Sequence, residues 1–288
     1  MSDTHDDARR RTIRVPRGLR TVEGAIGAVT VVLVAGLAVV GPAIAPHPDR
    51  QVVGAPLQGP SSQAVLGTDI LGRDVLSRVL SGGLSLLVVA LVATALAYLV
   101  GATWGMLVAL RSRFLDTLSI GIVDVVLSLP PLIVALVLLA GAGSGTAVIA
   151  VALAAVQVPR VFRIVRASSR EVVAQDYVEA AFARGDSSWR VLRRDVLPNV
   201  LTPLLADFGV RITSSVILVA SLSFLGLGAA PPEADWGLMI NENRTGILVQ
   251  PWGVMAPALL IAALSVGINL LTDGISRTLG ATAQTRDA

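Results

Sequence analysis

Five long stretches of this chain contain no charged residue, over residues 24–46, 79–110, 125–159, 212–232 and 245–272. A helix needs about 20 mainly apolar residues to cross the hydrocarbon core of a bilayer, so each stretch can hold one membrane helix and the longest can hold more. Composition agrees with this reading, because only 15% of the residues are charged, against about a quarter in soluble domains. The chain is therefore predicted to be an all-α, polytopic membrane protein.

The stretch over residues 125–159 is predicted to hold two helices. Gly141, Gly143 and Gly145 interrupt it, and closely spaced glycines indicate a tight turn outside the membrane. The whole chain then carries six membrane-spanning helices. We place them at residues 23–45, 84–110, 117–140, 147–166, 199–226 and 252–275.

The 23 basic residues are all arginines, and their positions predict the orientation of the chain. Loops that stay in the cytoplasm retain positive charge. Most arginines lie in the N-terminal segment, in residues 160–194 and near the C-terminus, which fall on one side of the predicted helices. We therefore expect both termini and the loop at residues 168–198 to be cytoplasmic, with residues 46–83 and 227–251 on the other side of the membrane.

Several kinds of active site are excluded by residues that the chain lacks. Without cysteine, and with His5 and His47 as its only histidines, it lacks the usual ligands of a transition-metal site and the thiol of a cysteine nucleophile. Without lysine it cannot form the phosphate-binding loop of an ATPase, whose lysine contacts the β- and γ-phosphates. Its arginines lie beside membrane helices without interleaved aromatic residues, which argues against nucleic-acid binding. We expect no catalytic, metal or cofactor site in this chain.

Residues 168–198 form a polar, arginine-rich segment between the fourth and fifth predicted helices. Ser168 and Glu171 have the spacing of a capping box at a helix start. Gly185 can end that helix in the left-handed conformation. The first half of the segment is therefore predicted to be a short cytoplasmic helix that ends in a turn.

The second half of this segment begins where Asp186 or Ser187 can cap another helix. Pro198 then ends that helix or begins the fifth membrane helix. In the first half, a narrow face with small residues at its centre recurs at helical spacing, and small residues permit the close approach of another protein. The residues of this face are Tyr177, Ala180, Ala181 and Arg184.

Glu179 has no histidine, cysteine or second carboxylate at a spacing that would support catalysis or metal binding. Two roles stay open for its charge. It can dock with arginines of another protein, which we favour, or it can form a salt bridge inside the segment with Arg190, Arg193 or Arg194.

The segment at residues 46–83 begins with several prolines, so its start is predicted to be irregular. Thr68 or Asp69 can cap a short amphipathic helix after it. We expect this helix to lie at the outer membrane interface, where it either contacts another protein or packs against the bundle. Its apolar face would contain Leu71, Val75, Leu76 and Val79.

The second outer segment, residues 227–251, contains Trp236 and is followed by Trp252. Tryptophan is enriched at the interface between membrane and water, where its ring is apolar and its N–H polar. Both side chains are predicted to anchor the chain at that interface.

Asp207 and Arg211 lie inside the fifth predicted membrane helix. Counted from Pro198, Arg211 is roughly 20 Å along the helix, well within a hydrocarbon core of about 30 Å. An unpaired cation there is costly, and Asp207 stands one turn earlier, where the two side chains can meet. Asp124 on the third predicted helix is a second candidate partner. The pair either holds helices in register or lines a translocation path or gate, and the sequence leaves both open.

Three further motifs appear in a fixed order along the chain. Residues 66–78 read LGTDILGRDVLSR, residues 221–228 read SLSFLGLG, and residues 231–240 read PPEADWGLMI. Together with the motif in the cytoplasmic segment, they resemble the second permease of bacterial ABC importers for dipeptides, oligopeptides and nickel. The similarity extends from about the first apolar stretch to Leu279.

The cytoplasmic motif resembles the Glu-Ala-Ala loop of this family, a pair of helices that plugs into a separate ATPase. Arg184 and Asp186 flank the motif's glycine where the family usually has Leu and Ala, and Asp195 occupies a usually apolar slot. The resemblance implies an ATPase-coupling role for Tyr177, Glu179, Ala180, Ala181, Arg184, Gly185, Asp186, Leu197 and Pro198.

The resemblance also implies the fold of a type I ABC importer permease with six membrane helices. With a second homologous permease, the chain would form a pathway for peptides or related small solutes that works by alternating access. Two ABC ATPase subunits would bind ATP and Mg, and an extracytoplasmic substrate-binding protein would deliver the solute. The chain itself would be no enzyme; it would contact membrane lipid in the plasma (inner) membrane of a bacterium. Dipeptide, oligopeptide, nickel chelate and haem remain open as solutes.

The alternative function is an ion- or proton-coupled secondary transporter. Such a transporter predicts carboxylates near the bilayer midplane and inverted repeats with broken helices. Only Asp124 and Asp207 meet the first requirement, and the two halves of the chain show no repeat. The ordered motifs favour the ABC permease.

These expectations divide the chain into consecutive parts. The predicted parts are a basic cytoplasmic tail (1–22), the first membrane helix (23–45), an extracytoplasmic segment (46–83), a five-helix permease core (84–275) that includes the coupling loop (168–198) and the outer loop (227–251), and a second cytoplasmic tail (276–288).

Overall fold

The computed structural model describes residues 22–111, 113–143, 145–228 and 231–284, without the side chains of Thr202 and residues 278–284. His5, nearly all of the predicted N-terminal tail and the last four residues lie outside this part. Its α-helices are α1 (Val22–Ile44), α2 (Val75–Ser81), α3 (Gly83–Ala109), α4 (Arg113–Leu127), α5 (Pro131–Ala142), α6 (Thr146–Val173), α7 (Asp176–Ala183), α8 (Ser188–Val191), α9 (Leu197–Phe224), α10 (Trp236–Asn243) and α11 (Trp252–Gln284). Within the described residues the β-structure is limited to two isolated bridges.

Five helical segments are long and apolar enough to cross a membrane, and the bent pair α4 and α5 makes a sixth if it counts as one span. The predicted all-α fold is confirmed, and the count agrees with the six predicted spans when the bent pair is taken as one. The five are Val22–Ile44, Val75–Ala109, Thr146–Val173, Pro203–Phe224 and Trp252–Arg277.

The third predicted span, a continuous helix over residues 117–140, is wrong. The chain breaks between α4 and α5, whose axes differ by 92°. Pro130 and Pro131 explain the break, because a proline disfavours the helical conformation in the residue before it. Pro130 accordingly has an extended ψ of 131° before Pro131 begins α5.

The predicted glycine turn joins α5 to α6. α5 ends at Ala142 and α6 begins at Thr146. Gly143 and Gly145 have positive φ angles of 87° and 141°, which glycine adopts at little cost because it has no Cβ. The turn is confirmed.

The fourth membrane helix is longer than predicted, because α6 continues without interruption to Val173. Ser168 and Glu171 lie inside it, so the predicted capping box is wrong. No proline or glycine follows Pro159 in this helix, and nothing in the local sequence stops it before residue 173. The first cytoplasmic helix, α7, begins only at Asp176.

Two large apolar clusters and a small one around Phe162 form the interior. The larger one lies in the half of the bundle away from the cytoplasmic segment and includes Leu86, Leu153 and Leu222. The second lies toward the cytoplasmic segment. Between them α3 packs closely on α6, because a Cβ on Gly101 would come within 2.9 Å of the Val158 carbonyl oxygen. Small residues are common where membrane helices approach each other.

Candidate functional site

The cytoplasmic insert, residues 168–198, turns at Gly185, as predicted. Gly185 has a φ of +86° and an open space where a Cβ would stand. Its N–H donates to the carbonyl of Phe182 at 2.9 Å, and the N–H of Asp186 donates to the carbonyl of Ala181 at 3.1 Å. These two bonds satisfy the last carbonyls of α7 in a Schellman arrangement.

The second half of the insert runs directly into the fifth membrane helix. Ser187 caps α8, because its Oγ accepts the N–H of Arg190 at 3.4 Å. One π-helical segment, Leu192–Val196, connects α8 to α9. Pro198 stands in the first turn of α9. Of the predicted alternatives, the structure has the Ser187 cap and a proline that begins the membrane helix.

One face of the insert packs into the permease. Val178 and Ala181 on α7 are 0% and 3% exposed. They join the second apolar cluster, which connects the insert with α3, α6 and α9. The members contributed by these elements include Met106, Val165, Val191, Val196 and Val200.

The opposite face of the insert is exposed. The four residues of the predicted narrow face of α7 therefore do not share one side, since three are exposed and Ala181 is buried. Ala181 points inward with Val178, one turn earlier, because three residues span most of a helical turn. The outward side chains belong to Tyr177, Glu179, Ala180, Phe182, Arg184 and Trp189. Among them Tyr177 is hydrogen-bonded to α9, because Asn199 Nδ2 donates to its hydroxyl at 3.3 Å.

Glu179 makes no side-chain hydrogen bond or ion pair with any described residue. Arg190, a predicted intramolecular partner, instead pairs with Asp186 at 2.7 Å. The hydrogen bond from Arg190 holds the pKa of the Asp186 carboxyl below its usual range. The predicted salt bridge from Glu179 to Arg190, Arg193 or Arg194 is therefore wrong, and the carboxylate of Glu179 is exposed.

The intramembrane pair forms as predicted. Arg211 donates from Nε to both carboxylate oxygens of Asp207 at 3.1 Å and from Nη2 to Oδ1 at 3.0 Å. The Tyr98 hydroxyl donates to Asp207 Oδ2 at 2.8 Å. Because both charged side chains are largely buried, at 15% and 11% exposed, their mutual contact offsets part of the cost of removing them from water.

A polar network lies beside this pair. Gln157 Nε2 donates to the carbonyl of Arg211 at 3.4 Å and to the hydroxyl of Ser215. The hydroxyls of Ser215 and Thr94 are 2.7 Å apart. The network joins α3, α6 and α9 at the level of the ion pair.

Asp124 does not pair with Arg211. Its carboxylate lies 3.4 Å from Arg163, and both side chains are half exposed or more. The predicted second partner of Arg211 is therefore wrong. α4 packs along α6, which brings Asp124 to the arginines of α6 instead.

A buried carboxylate that sequence reasoning missed lies at the cytoplasmic start of α4. Asp116 is 5% exposed. Arg166 and Arg170, both on α6, each place a guanidinium nitrogen 2.7 Å from its Oδ2. The three side chains connect α4 to the part of α6 that leads into the insert. Their separation in sequence leaves no local signal by which to find them.

A second missed cluster lies on the outer side, where the motif at residues 66–78 meets the end of α10. Arg73 contacts Asp69 at 2.6 Å and Glu242 at 2.8 Å. Arg78 contacts Glu242 at 3.0 Å and Asp69 at 3.5 Å. Asp69 and Arg78 are fully buried. We name these four residues the outer ion cluster; it fastens the segment before α2 to the end of α10.

The short outer helix differs from the prediction. Its N-cap is Asp74, whose carboxylate accepts the N–H of Ser77 at 3.0 Å, so α2 begins at Val75. Thr68 and Asp69 do not cap it. The Asp69 carboxylate accepts the N–H groups of Leu71 and Arg73 instead. Most of α2 is buried against the bundle, which agrees with the alternative of packing; an amphipathic helix on the outer surface is wrong.

Trp236 does not anchor the chain at the membrane interface, as was predicted. It is 0% exposed, and its indole N–H donates to the carbonyl of Val79 at 2.8 Å. The PPEADWGLMI motif thus locks α10 onto α2. Trp252 remains 39% exposed. No group of three or more histidine or acidic side chains that could hold a metal ion occurs in the part of the chain that the structure describes.

Comparison with known proteins identifies relatives along most of the chain. A family model described as "Binding-protein-dependent transport system inner membrane component" matches residues 101–281. The glutathione transport system permease protein GsiD of Pectobacterium atrosepticum is 36% identical over 222 residues, which cover 77% of this chain and 74% of the relative. The probable D,D-dipeptide transport system permease protein DdpC of Escherichia coli is 34% identical over 249 residues, 86% of this chain and 84% of the relative.

These matches confirm the family that the four motifs indicated. They also overturn the alternative of a secondary transporter, since ATP hydrolysis in this family belongs to separate subunits. With its helical membrane fold and its cytoplasmic insert, the chain belongs to the binding-protein-dependent transport system inner membrane components and is a permease subunit of a bacterial ABC importer.

Proposed function

We propose that the cytoplasmic insert of this permease docks with an ABC ATPase subunit through its exposed face. The observation that carries this proposal is the exposed Glu179, which has no side-chain partner among the described residues. Phe182 and Trp189 add exposed apolar area on the same segment, at 40% and 66% exposed. An interface with these features suits a partner that presents arginines around an apolar pocket.

The opposite face of the insert supplies the mechanical connection. Because Val178 and Ala181 are buried with residues of α3, α6 and α9, the insert cannot move without displacing those helices. Closely packed interiors transmit such displacement rather than absorb it. Closure of two ATPases on ATP and Mg²⁺ would then favour one arrangement of the permease helices, which is the basis of alternating access.

The remaining partners follow from the family. We propose a second homologous permease that completes the pathway, two ABC ATPase subunits and an extracytoplasmic binding protein that delivers the solute. The family description already names dependence on a binding protein. In this arrangement residues 46–83 and 227–251 face the binding protein.

For the solute we propose a short peptide or a related small compound. The relatives quoted above are named for glutathione and for D,D-dipeptides, and both kinds of compound are small, polar and built from amino acids. Mass spectrometry of the ligand that co-purifies with the binding protein is the direct test. A ligand without amino-acid units would contradict this solute class.

Charge reversal at Glu179 tests the docking surface. We expect Glu179→Arg to leave the permease in the membrane but to prevent co-purification of the ATPase and abolish uptake, because like charges then face each other. Glu171→Arg is the matched control, since Glu171 is also exposed on the insert but lies outside α7. Stoichiometric ATPase and normal uptake with Glu179→Arg would refute the docking role.

A further inference from the structure

Arg160 lies within a membrane helix, although the distribution of arginines had placed it on the cytoplasmic side. It stands near the midpoint of α6, a helix of 28 residues. Arg211 stands near the midpoint of α9, also 28 residues long. At 1.5 Å per residue Arg160 is roughly 12 Å from residue 168, where the insert begins, and Arg211 is roughly 20 Å from the start of α9, so both lie within a hydrocarbon core of about 30 Å. The two helices meet at this level, because Gln157, one turn before Arg160 on α6, donates to the carbonyl of Arg211 on α9 at 3.4 Å.

Arg160 lacks a carboxylate partner in the described part of the chain. Its one hydrogen bond there runs from Nη1 to the carbonyl of Val156, at the long distance of 3.4 Å. Asp207, the acid of the ion pair on α9, already accepts hydrogen bonds from Arg211 and Tyr98. Arg160 is only partly buried, so its guanidinium keeps an open side.

The charges around this point therefore do not balance. Arg160 and Arg211 contribute two positive charges, and Asp207 contributes one negative charge. Arg211 binds Asp207 through Nε and Nη2, which leaves its Nη1 without a hydrogen bond to the described residues. A surplus cation at membrane depth is costly and marks an ion or substrate contact by default.

We propose that Arg160 and Nη1 of Arg211 together bind a carboxylate of the solute as it passes through the permease. Guanidinium groups suit this ligand, because their planar N–H groups match the two oxygens of a carboxylate. Asp207 holds Arg211 in position and keeps the site at a single net positive charge, so that one carboxylate neutralises it. The site takes an organic carboxylate such as the C-terminus of a short peptide. This inference rests on the proposed solute class.

Arg160 stands beside the break between α4 and α5. It lines a crevice there, too narrow in this conformation for a water molecule, together with Leu129 and Pro131. The break exposes non-helical backbone at the same level, and such backbone in a membrane protein lies against protein or water rather than lipid. The carboxylate site therefore adjoins the one part of the described fold where a span is discontinuous.

A carboxylate of the second permease is the rival occupant, and a purely structural role is the other rival. The test uses the complete importer in proteoliposomes, with dialanine and dialanine amide as radiolabelled probes. These probes differ only in the terminal carboxylate. Because every variant is measured with the same binding protein, a change in the ratio of the two uptake rates reports the permease.

We expect Arg160→Gln to lower the uptake of dialanine relative to its amide by about tenfold or more, since hydrogen bonds to a charged group are worth about 1.5–3 kcal/mol. Arg160→Lys keeps the charge and should retain most of the preference. Arg163→Gln is the matched control one turn along α6, where the arginine is exposed and paired with Asp124; it should leave the ratio unchanged.

The possible outcomes are separable. Equal loss of both probes in Arg160→Gln, or no loss of either, would overturn the carboxylate site. Loss of the second permease on purification of Arg160→Gln would assign the site to a carboxylate of that subunit and would also overturn the proposal. If the wild-type importer transports neither probe, the proposed solute class is wrong, and the carboxylate site, which depends on it, is rejected as well.

Discussion

The outer ion cluster and the cytoplasmic insert are both rich in charge, but they use it in opposite ways. In the outer ion cluster two buried arginines contact the buried Asp69 and the largely buried Glu242. In the insert, Glu179 and Arg184 are exposed, and Glu179 has no partner in the described chain. Charges that are satisfied within the chain fix its own shape, whereas charges left in water are available to another subunit.

The largest effect on stability is expected in the outer ion cluster. Glu242→Gln leaves Arg73 and Arg78 with Asp69 as their only acid, and breaking a buried pair costs about 3–5 kcal/mol. We expect a marked fall in the melting temperature of the purified permease in detergent. Arg244→Gln is the control, because Arg244 is exposed two residues away. Equal melting temperatures for the two variants would show that the contacts of Glu242 with Arg73 and Arg78 do not stabilise the fold.

An intermediate effect is expected at the intramembrane pair. Asp207→Asn leaves two arginines without an acid, which we expect to cost about 2–3 kcal/mol. This is somewhat less than at Glu242, which contacts two arginines directly. The double variant Asp207→Asn/Arg211→Gln removes the unpaired charge and should recover much of that stability without recovering uptake. Full uptake by the double variant would leave the pair with a purely structural role in holding helices in register.

A smaller effect is expected at the turn of the insert. Gly185→Val places a β-branched residue at a φ of +86°, which costs about 1–2 kcal/mol. The permease should remain in the membrane but lose ATPase association and uptake. Gly185→Asn should retain more of both, because asparagine tolerates this region better. Normal uptake by Gly185→Val would show that the turn at Gly185 is not needed for coupling to the ATPase.

Almost no effect on stability is expected from Ser187→Cys, which tests the side of the membrane on which the insert lies. The chain has no other cysteine, and Ser187 is exposed. An impermeant thiol reagent should label this variant in inverted vesicles but not in intact cells. Labelling in intact cells would place the insert on the outer side of the membrane. The outer ion cluster would then lie on the cytoplasmic side.

The sequence predicted those features of the insert that depend on neighbouring residues. Gly185, Ser187 and Pro198 act through turn, cap and helix-start preferences that extend over a few residues. The i, i+4 pair of Asp207 and Arg211 is local in the same sense. The break before α5 also had a local signal in its two prolines, which the apolar pattern outweighed.

The outer ion cluster and Asp116 could not be predicted in this way. Glu242 meets Arg73 across 169 positions, and Asp116 meets Arg166 across 50. A single sequence does not show which distant charges share a buried site. Arg160 was misassigned for a related reason, since a rule based on counting arginines cannot distinguish a loop from the middle of a long helix.

The break between α4 and α5 also has a consequence for the membrane itself. α4 has 15 residues and α5 has 12, so they are roughly 22 Å and 18 Å long. Since they meet at 92°, neither can cover a hydrocarbon thickness of about 30 Å, and their lengths do not add along one axis. Lipid cannot fill this shortfall without leaving backbone groups dry. We therefore expect water or a neighbouring subunit, rather than lipid, to complete the hydrocarbon depth beside this bend.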